Sequence, residues 1–243
     1  MSEREIWTYG DLRSAHQWQA SLKVLAKAID LAAAAGASLG MVLMGGDAEA
    51  AQTPPAPPGA CLPLAEAAEQ AAALGVQTVH CLEHPLLAVP RTDLYGRVLA
   101  DFVQRRAPWL VLLPLTDFGR EVAAIGAQRC QAGLIADSTE LVFSAGRFVG
   151  RCPAWGGQII ADITLAEGWP TAFVTVQPHG AQVPAPRNER GRIERIAPEQ
   201  VDSFPGAELV QRSLQAAATR RLEDAETVVV GGAGLGDMRG FGL

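Results

Sequence analysis

Arg151-Cys-Pro-Ala-Trp-Gly-Gly157 sets a guanidinium, a thiol and an indole just ahead of two adjacent glycines. Such side chains hold anions, attack electrophiles or stack on rings, and glycines let a ligand come close. Cys152 has no histidine near it in sequence, so a structural thiol is the expected role rather than a nucleophile. Gly231-Gly-Ala-Gly-Leu-Gly236 follows Val228-Val-Val230, and glycine turns after a strand let backbone amides approach a pyrophosphate. The dinucleotide spacing is not met, because a G-x-G-x-x-G run starting at Gly232 needs glycine where Asp237 stands. His80 and His84 flank a strand end, and a four-residue spacing aligns metal ligands on a helix but not across a strand and turn. Ser14-Ala-His16 and Gln177-Pro-His179-Gly180 supply no nucleophile, base and acid pattern. Gly119-Arg120-Glu121 opens a helix after a strand, which suits either an anion at the helix start or an ordinary start with a solvated arginine.

The elements that must position these residues alternate in rhythm. Ile6–Tyr9 and Leu39–Met44 read as strands, and Gln17–Ala35 reads as a helix with Leu22, Leu25 and Ile29 at helical spacing and Gly36 as its stop. Gln52–Gly59 holds four prolines and must loop over the surface. A helix over Leu62–Ala73, a strand over Thr78–Leu82, a helix over Thr92–Arg105 capped by Thr92, a buried strand over Trp109–Leu113 and a helix over Gly119–Cys130 follow. The alternation is that of a parallel sheet covered by helices, an α/β fold. Beyond Gly133, Glu140–Ser144, Arg147–Arg151, Gln158–Leu165 and Thr171–Val176 read as added antiparallel strands in a meander. From Pro178 to Glu208 the chain is rich in proline, arginine and glutamate, which suggests an extended arm lying on another surface.

The chain of 243 residues is 49% apolar with a net charge of −6 and a pI near 5.3. It has no basic field to attract nucleic acid or anionic lipid. No apolar run is long enough to span a membrane, and Met1–Glu5 lacks the order of a signal peptide, so a cytoplasmic protein is expected. Cys61, Cys81, Cys130 and Cys152 form no C-x-x-C pair, which signals neither zinc nor a disulfide framework.

Thr116–Ala123, Gly133–Leu141, Cys152–Gly157 and Ala172–Pro178 resemble, in order and spacing, electron transfer flavoprotein alpha subunits. Leu74–Ala88 and Asp93–Tyr95 extend the likeness, and Asp224–Gly236 is similar to the family's entry into a second domain. The resemblance implies a three-layer α/β/α sandwich of the adenine-nucleotide hydrolase type with a mostly parallel sheet, added strands and an extended C-terminal arm. It implies residues 1–177 as the first domain, 178–222 as a partner-contacting linker, and 223–243 as the start of an FAD-binding domain. Arg151, Trp155, Gly156 and Gly157 would lie near the FAD of a beta subunit, and Gly231, Gly232 and Gly234 would be a remnant of the FAD domain.

Arg151 precedes the proline by two residues where the family's arginine directly precedes it, so a solvated arginine beside an ordinary turn is the competing reading. Trp155 likewise reads either as a ring-stacking residue or as packing. The implied protein is an electron carrier rather than an enzyme, a heterodimer with a flavin-bearing beta subunit that also holds AMP or a second flavin. It would serve acyl-CoA or other dehydrogenases, as in fatty acid β-oxidation, and pass or bifurcate electrons to a respiratory or ferredoxin acceptor. The chain alone is expected to hold no FAD. The alternatives are a stand-alone adenine-nucleotide-binding domain and a structural scaffold of a dehydrogenase complex.

Overall fold

A computed structural model describes residues 4–46, 62–166, 168–199, 201 and 225–241. The proline run Gln52–Gly59 and Cys61 lie outside them. The chain divides into two units, Met1–Ala207 and Glu208–Leu243.

In the first unit, β1 (Glu5–Gly10), β2 (Ser38–Gly45), β3 (Thr78–Glu83) and β4 (Leu110–Pro114) carry near-continuous apolar runs. Strands buried on both faces of a parallel sheet require that composition. Between them run α1 (Ala15–Ala35), α2 (Leu64–Ala73) and α3 (Thr92–Arg106), and α4 (Asp117–Arg129) follows β4. Ser14 caps α1 by accepting from the Gln17 amide at 3.3 Å, and Gly36 ends it in the left-handed region at φ 61°. Thr116 caps α4 by accepting from the Gly119 amide at 3.0 Å, so that helix starts ahead of Gly119. The expected cap of α3 is corrected: Thr92 is already helical, and Arg91 occupies the cap position in extended geometry with no side-chain cap bond.

With β5 (Gly133–Ser138), β9 (Ala172–Val176) and β10 (Arg192–Ile196), the order of the seven-stranded sheet is β10-β3-β2-β1-β4-β9-β5, with every pair parallel. Leu22, Leu25, Ala68 and Ala71 of α1 and α2 close one face. Leu99, Phe102, Val122 and Ala123 of α3 and α4 close the other, which gives three layers. β5 (Gly133–Ser138) is the far edge of this sheet. β6 (Glu140–Ser144), β7 (Arg147–Ala154) and β8 (Ile159–Thr164) form a separate antiparallel sheet.

Two expectations are corrected here. β9 (Ala172–Val176) does not continue the meander but inserts between β4 and β5. All five of its residues are buried, a composition that suits a central parallel strand and not an alternating one. The segment after Pro178 does not begin as an outward arm: the Arg187 amide donates to the Ala73 carbonyl and the Gly191 amide to that of Ala72, and β10 (Arg192–Ile196) pairs with β3. Ile193 and Ile196 pack on the two faces while the charged residues ring an edge strand. Residues 202–224 lie outside the described part. The second unit, as described, carries short 3-10 turns at Ala233–Leu235 and Met238–Phe241, with Val229 and Val230 exposed.

Candidate functional site

The small sheet owes its register to a two-residue turn. Ala145 and Gly146 stand at φ 49° and 78° between the paired Ser144 and Arg147. Turns of this kind follow the twist of the strands they join. That register sets Glu140 of β6 and Asp162 of β8 directly opposite Arg151 of β7. The Arg151 guanidinium donates to Glu140 at 2.7 Å and to Asp162 at 3.3 Å on a solvent-facing surface. The hydrogen bond to Glu140, then the two carboxylate charges, hold its pKa above the ordinary arginine value.

Alternation along β7 turns Phe148 and Cys152 the other way, into the core. The Cys152 thiol donates to the Ala136 carbonyl at 3.2 Å, and burial followed by the Asp137 charge raises its pKa, the wrong direction for a nucleophile. Arg151 and Cys152, adjacent in sequence, therefore face opposite sides.

β7 and β8 are joined at Ala154 and Ile159 by a turn in which Trp155, Gly156 and Gly157 all take positive φ, at 53°, 66° and 84°. A Cβ built at either glycine would meet nothing within 4 Å, so backbone conformation rather than space selects them. Trp155 bears a side chain in that region, at a cost of about 1 kcal/mol, and is 82% exposed. Ile159, Ile160 and Ile163 on β8, an edge strand, are also exposed. The turn thus joins an outward tryptophan, two open glycines and an apolar strand edge to the charged ladder of Arg151.

The other sequence candidates are placed elsewhere. Arg120 forks onto Asp137 at 2.9 and 3.2 Å, which occupies the guanidinium at the start of α4. His84 accepts from the Leu86 amide at 3.2 Å and starts a 3-10 turn, while His80 lies buried on β3. Ser14 is the α1 cap described above, and Gln177 and His179 contact each other at 3.3 Å. Gly231, Gly232 and Gly234 are exposed in the second unit, where Gly232 starts the Ala233–Leu235 turn. Among the described residues no group of three His, Cys, Asp or Glu is arranged to hold a metal.

Two arrangements escaped the reading of the sequence. His80 Nδ1 lies 3.1 Å from Glu194 of β10 and Nε2 3.7 Å from Glu5 of β1, with its ring against Trp7 and Phe102. The first pair is separated by 114 positions, and no local pattern announces it. Lys27 of α1 donates to the Gln177 carbonyl at 2.6 Å and to that of Thr139 at 3.3 Å, and burial lowers its pKa. A lysine within the otherwise apolar stretch Leu25–Ile29 was the one signal for it.

The electron transfer flavoprotein domain model matches residues 7–201. The electron transfer flavoprotein alpha subunit of Thermoanaerobacterium thermosaccharolyticum is 25% identical over 243 residues, covering 99% of this chain and 68% of that protein. FixB of Rhizobium meliloti is 29% identical over 243 residues, covering 99% of this chain and 65% of the relative. Subunit LctC of the lactate dehydrogenase (NAD(+),ferredoxin) of Acetobacterium woodii is 28% identical over 234 residues, covering 96% and 52%. The chain thus spans between about half and two thirds of the length of these relatives.

Proposed function

We propose, from the premise that this chain belongs to the electron transfer flavoprotein domain family, that it acts as an alpha-type subunit of an electron carrier. The observation that carries the reading is the family match over residues 7–201, supported by an electron transfer flavoprotein alpha subunit and a FixB protein that each align along 99% of the chain. In this reading the partner is a beta-type subunit bearing FAD and, beside it, AMP or a second flavin. A second FAD belongs to a domain entered through Gly231, Gly232 and Gly234. The chain carries electrons from acyl-CoA or other dehydrogenases and performs no turnover of its own. Whether it passes them singly or bifurcates them is a property of the assembled complex.

The candidate site suits such a role physically. Trp155 is a large amphipathic anchor of the type that dominates interfaces, and edge strand β8 offers backbone groups and apolar side chains for burial. Gly156 and Gly157 leave room for a ring system to approach, and Arg151 supplies a cation near it.

Co-expression with a beta-type subunit tests the reading. The expected product is a 1:1 heterodimer that retains flavin, while the chain purified alone is colourless. A chain that stays apart from beta-type subunits, or that carries stoichiometric flavin by itself, would overturn it. No helix among the described residues is long and apolar enough to cross a membrane.

A further inference from the structure

The large and small sheets meet at one corner. β5 ends at Ser138 and β6 begins at Glu140, so the chain passes from one sheet to the other through Thr139 alone. Just ahead of it Asp137 takes the left-handed region at φ 60°, where the pairing of β5 with β9 is irregular. Hydrogen bonds tie this corner both ways. The Asp137 amide donates to Thr175 Oγ1 at 2.9 Å and the Gln177 amide to the Ser138 carbonyl at 2.8 Å, which joins it to β9 and the residue that follows. The Thr139 amide and hydroxyl both donate to the Arg151 carbonyl, at 2.8 and 3.0 Å, which joins it to β7.

Lys27 reaches the same corner from another layer. Its ammonium, partly buried where α1 packs against β6, donates to the Gln177 carbonyl at 2.6 Å and to the Thr139 carbonyl at 3.3 Å. One cation thus grips the end of a large-sheet strand and the link into the small sheet. Through Thr139 the grip continues to the Arg151 carbonyl, and so to the strand that leads into Trp155, Gly156 and Gly157.

Stability alone does not call for a cation here. Burial works against the charged form and lowers the pKa of Lys27, with the Glu140 charge only partly offsetting it. An unbranched apolar side chain of similar length would cover the same part of α1 without that cost. Leu141, Phe143, Phe148 and Cys152 already hold the small sheet to the core cluster that includes α1. Such contacts are non-directional, so they keep a sheet down without fixing its angle, whereas a hydrogen-bond donor set on two carbonyls fixes direction.

We propose that Lys27 is a positioning residue that fixes the angle at which the small sheet presents the Arg151–Gly157 segment to a partner; the identity of that partner as a beta-type subunit rests on the carrier reading.

Amide exchange in the full 243-residue chain, and association of that chain with a beta-type subunit, test this with Lys27→Met and Lys27→Arg. In Lys27→Met the corner amides of Thr139 and Gln177 should exchange about tenfold faster or more, the worth of a charge-assisted hydrogen bond. Amides of β1 and β4 should keep the parent's rates and so report an intact large sheet. A looser sheet must be ordered by its partner on binding, so association should weaken about three- to tenfold. Lys27→Arg keeps donors for both carbonyls and should stay close to the parent in both measurements, which a role in packing alone would not produce. Unchanged exchange at Thr139 and Gln177 in Lys27→Met, faster exchange with undiminished association, or equal behaviour of Lys27→Arg and Lys27→Met would each overturn the positioning role and leave the carrier reading standing. If the parent chain itself joins no beta-type subunit, the carrier reading fails instead, and the corner amides alone decide whether Lys27 holds the small sheet in place.

Discussion

Arg151 sits between two carboxylates, so the ladder Glu140–Arg151–Asp162 carries a net charge of −1 although its centre is a cation. Reduction adds negative charge to a flavin, which a cation favours and a carboxylate opposes. In the proposed heterodimer, Arg151→Ala is therefore expected to lower the potential of a flavin bound nearby, and Glu140→Gln to raise it. Spectroelectrochemical titration reads both, and two unchanged potentials would put the ladder out of electrostatic reach of the flavin. Trp155→Gly should leave the isolated chain as stable or up to about 1 kcal/mol more stable, because the positive φ no longer costs a side chain. The same change should weaken heterodimer formation at least tenfold if the indole is an interface anchor. Equal affinity of variant and parent in an association assay would refute that role.

Burial, and after it the Glu83 charge, pushes the Cys81 thiol from 9.0 up to about 11. A thiol is neutral when protonated, and the folded state prefers that neutral form. Its contribution to stability is complete below pH 9 and lost as pH climbs to about 11. Denaturant midpoints should fall across that window, and Cys81→Val should remove part of the fall but not all, since Cys130 shifts to about 11 as well. The residue types of the candidate site were legible because an exposed arginine and a glycine pair need no context. Its carboxylates were not legible, because their position opposite Arg151 depends on register, and the turn that sets it reads Ala145-Gly146 rather than the usual Asn-Gly or Asp-Gly.

At the scale of elements, helices and strands up to β4 stand close to where periodicity put them, since each buries its own local pattern. β9 was misread because neighbouring segments usually pair with each other, and only its lack of polar alternation separates it from the meander. β10 was misread because Arg192, Glu194 and Arg195 outnumber Ile193 and Ile196, as an edge strand permits. Glu194 joins β10 to the body through His80 at 3.1 Å and also pairs with Arg106 of α3 and with Arg192. Glu194→Ala leaves a buried imidazole nitrogen without its acceptor, at a cost of about 1–3 kcal/mol. Amide exchange over 192–196 is expected to quicken while exchange in β1 and β4 stays slow, because edge strands open locally. Uniform acceleration across the sheet would mean that His80 supports the whole core rather than this one strand.

For the molecule as a whole, the family and the three-layer architecture were readable from motif order, whereas the layout of the sheet waited on two strands far along the chain. That layout has a consequence in time. β4 ends at Pro114, but its neighbour β9 begins only at Ala172. At roughly 5–20 residues per second, a ribosome needs about 3–12 s to make the stretch between them. During that interval Leu110–Pro114 has β1 on one side and an open row of amides and carbonyls on the other. β5 has no partner in the large sheet at all until β9 arrives. All three strands of the small antiparallel sheet precede β9 in the chain, so they leave the ribosome before the large sheet can close. Nascent chains arrested with Gly168 just outside the exit tunnel should be cut rapidly by protease within β4 and β5. Those arrested with Ala207 outside should resist at the same sites. If both lengths resist equally, closure does not wait for β9, and the order of synthesis places no constraint on how this sheet is built.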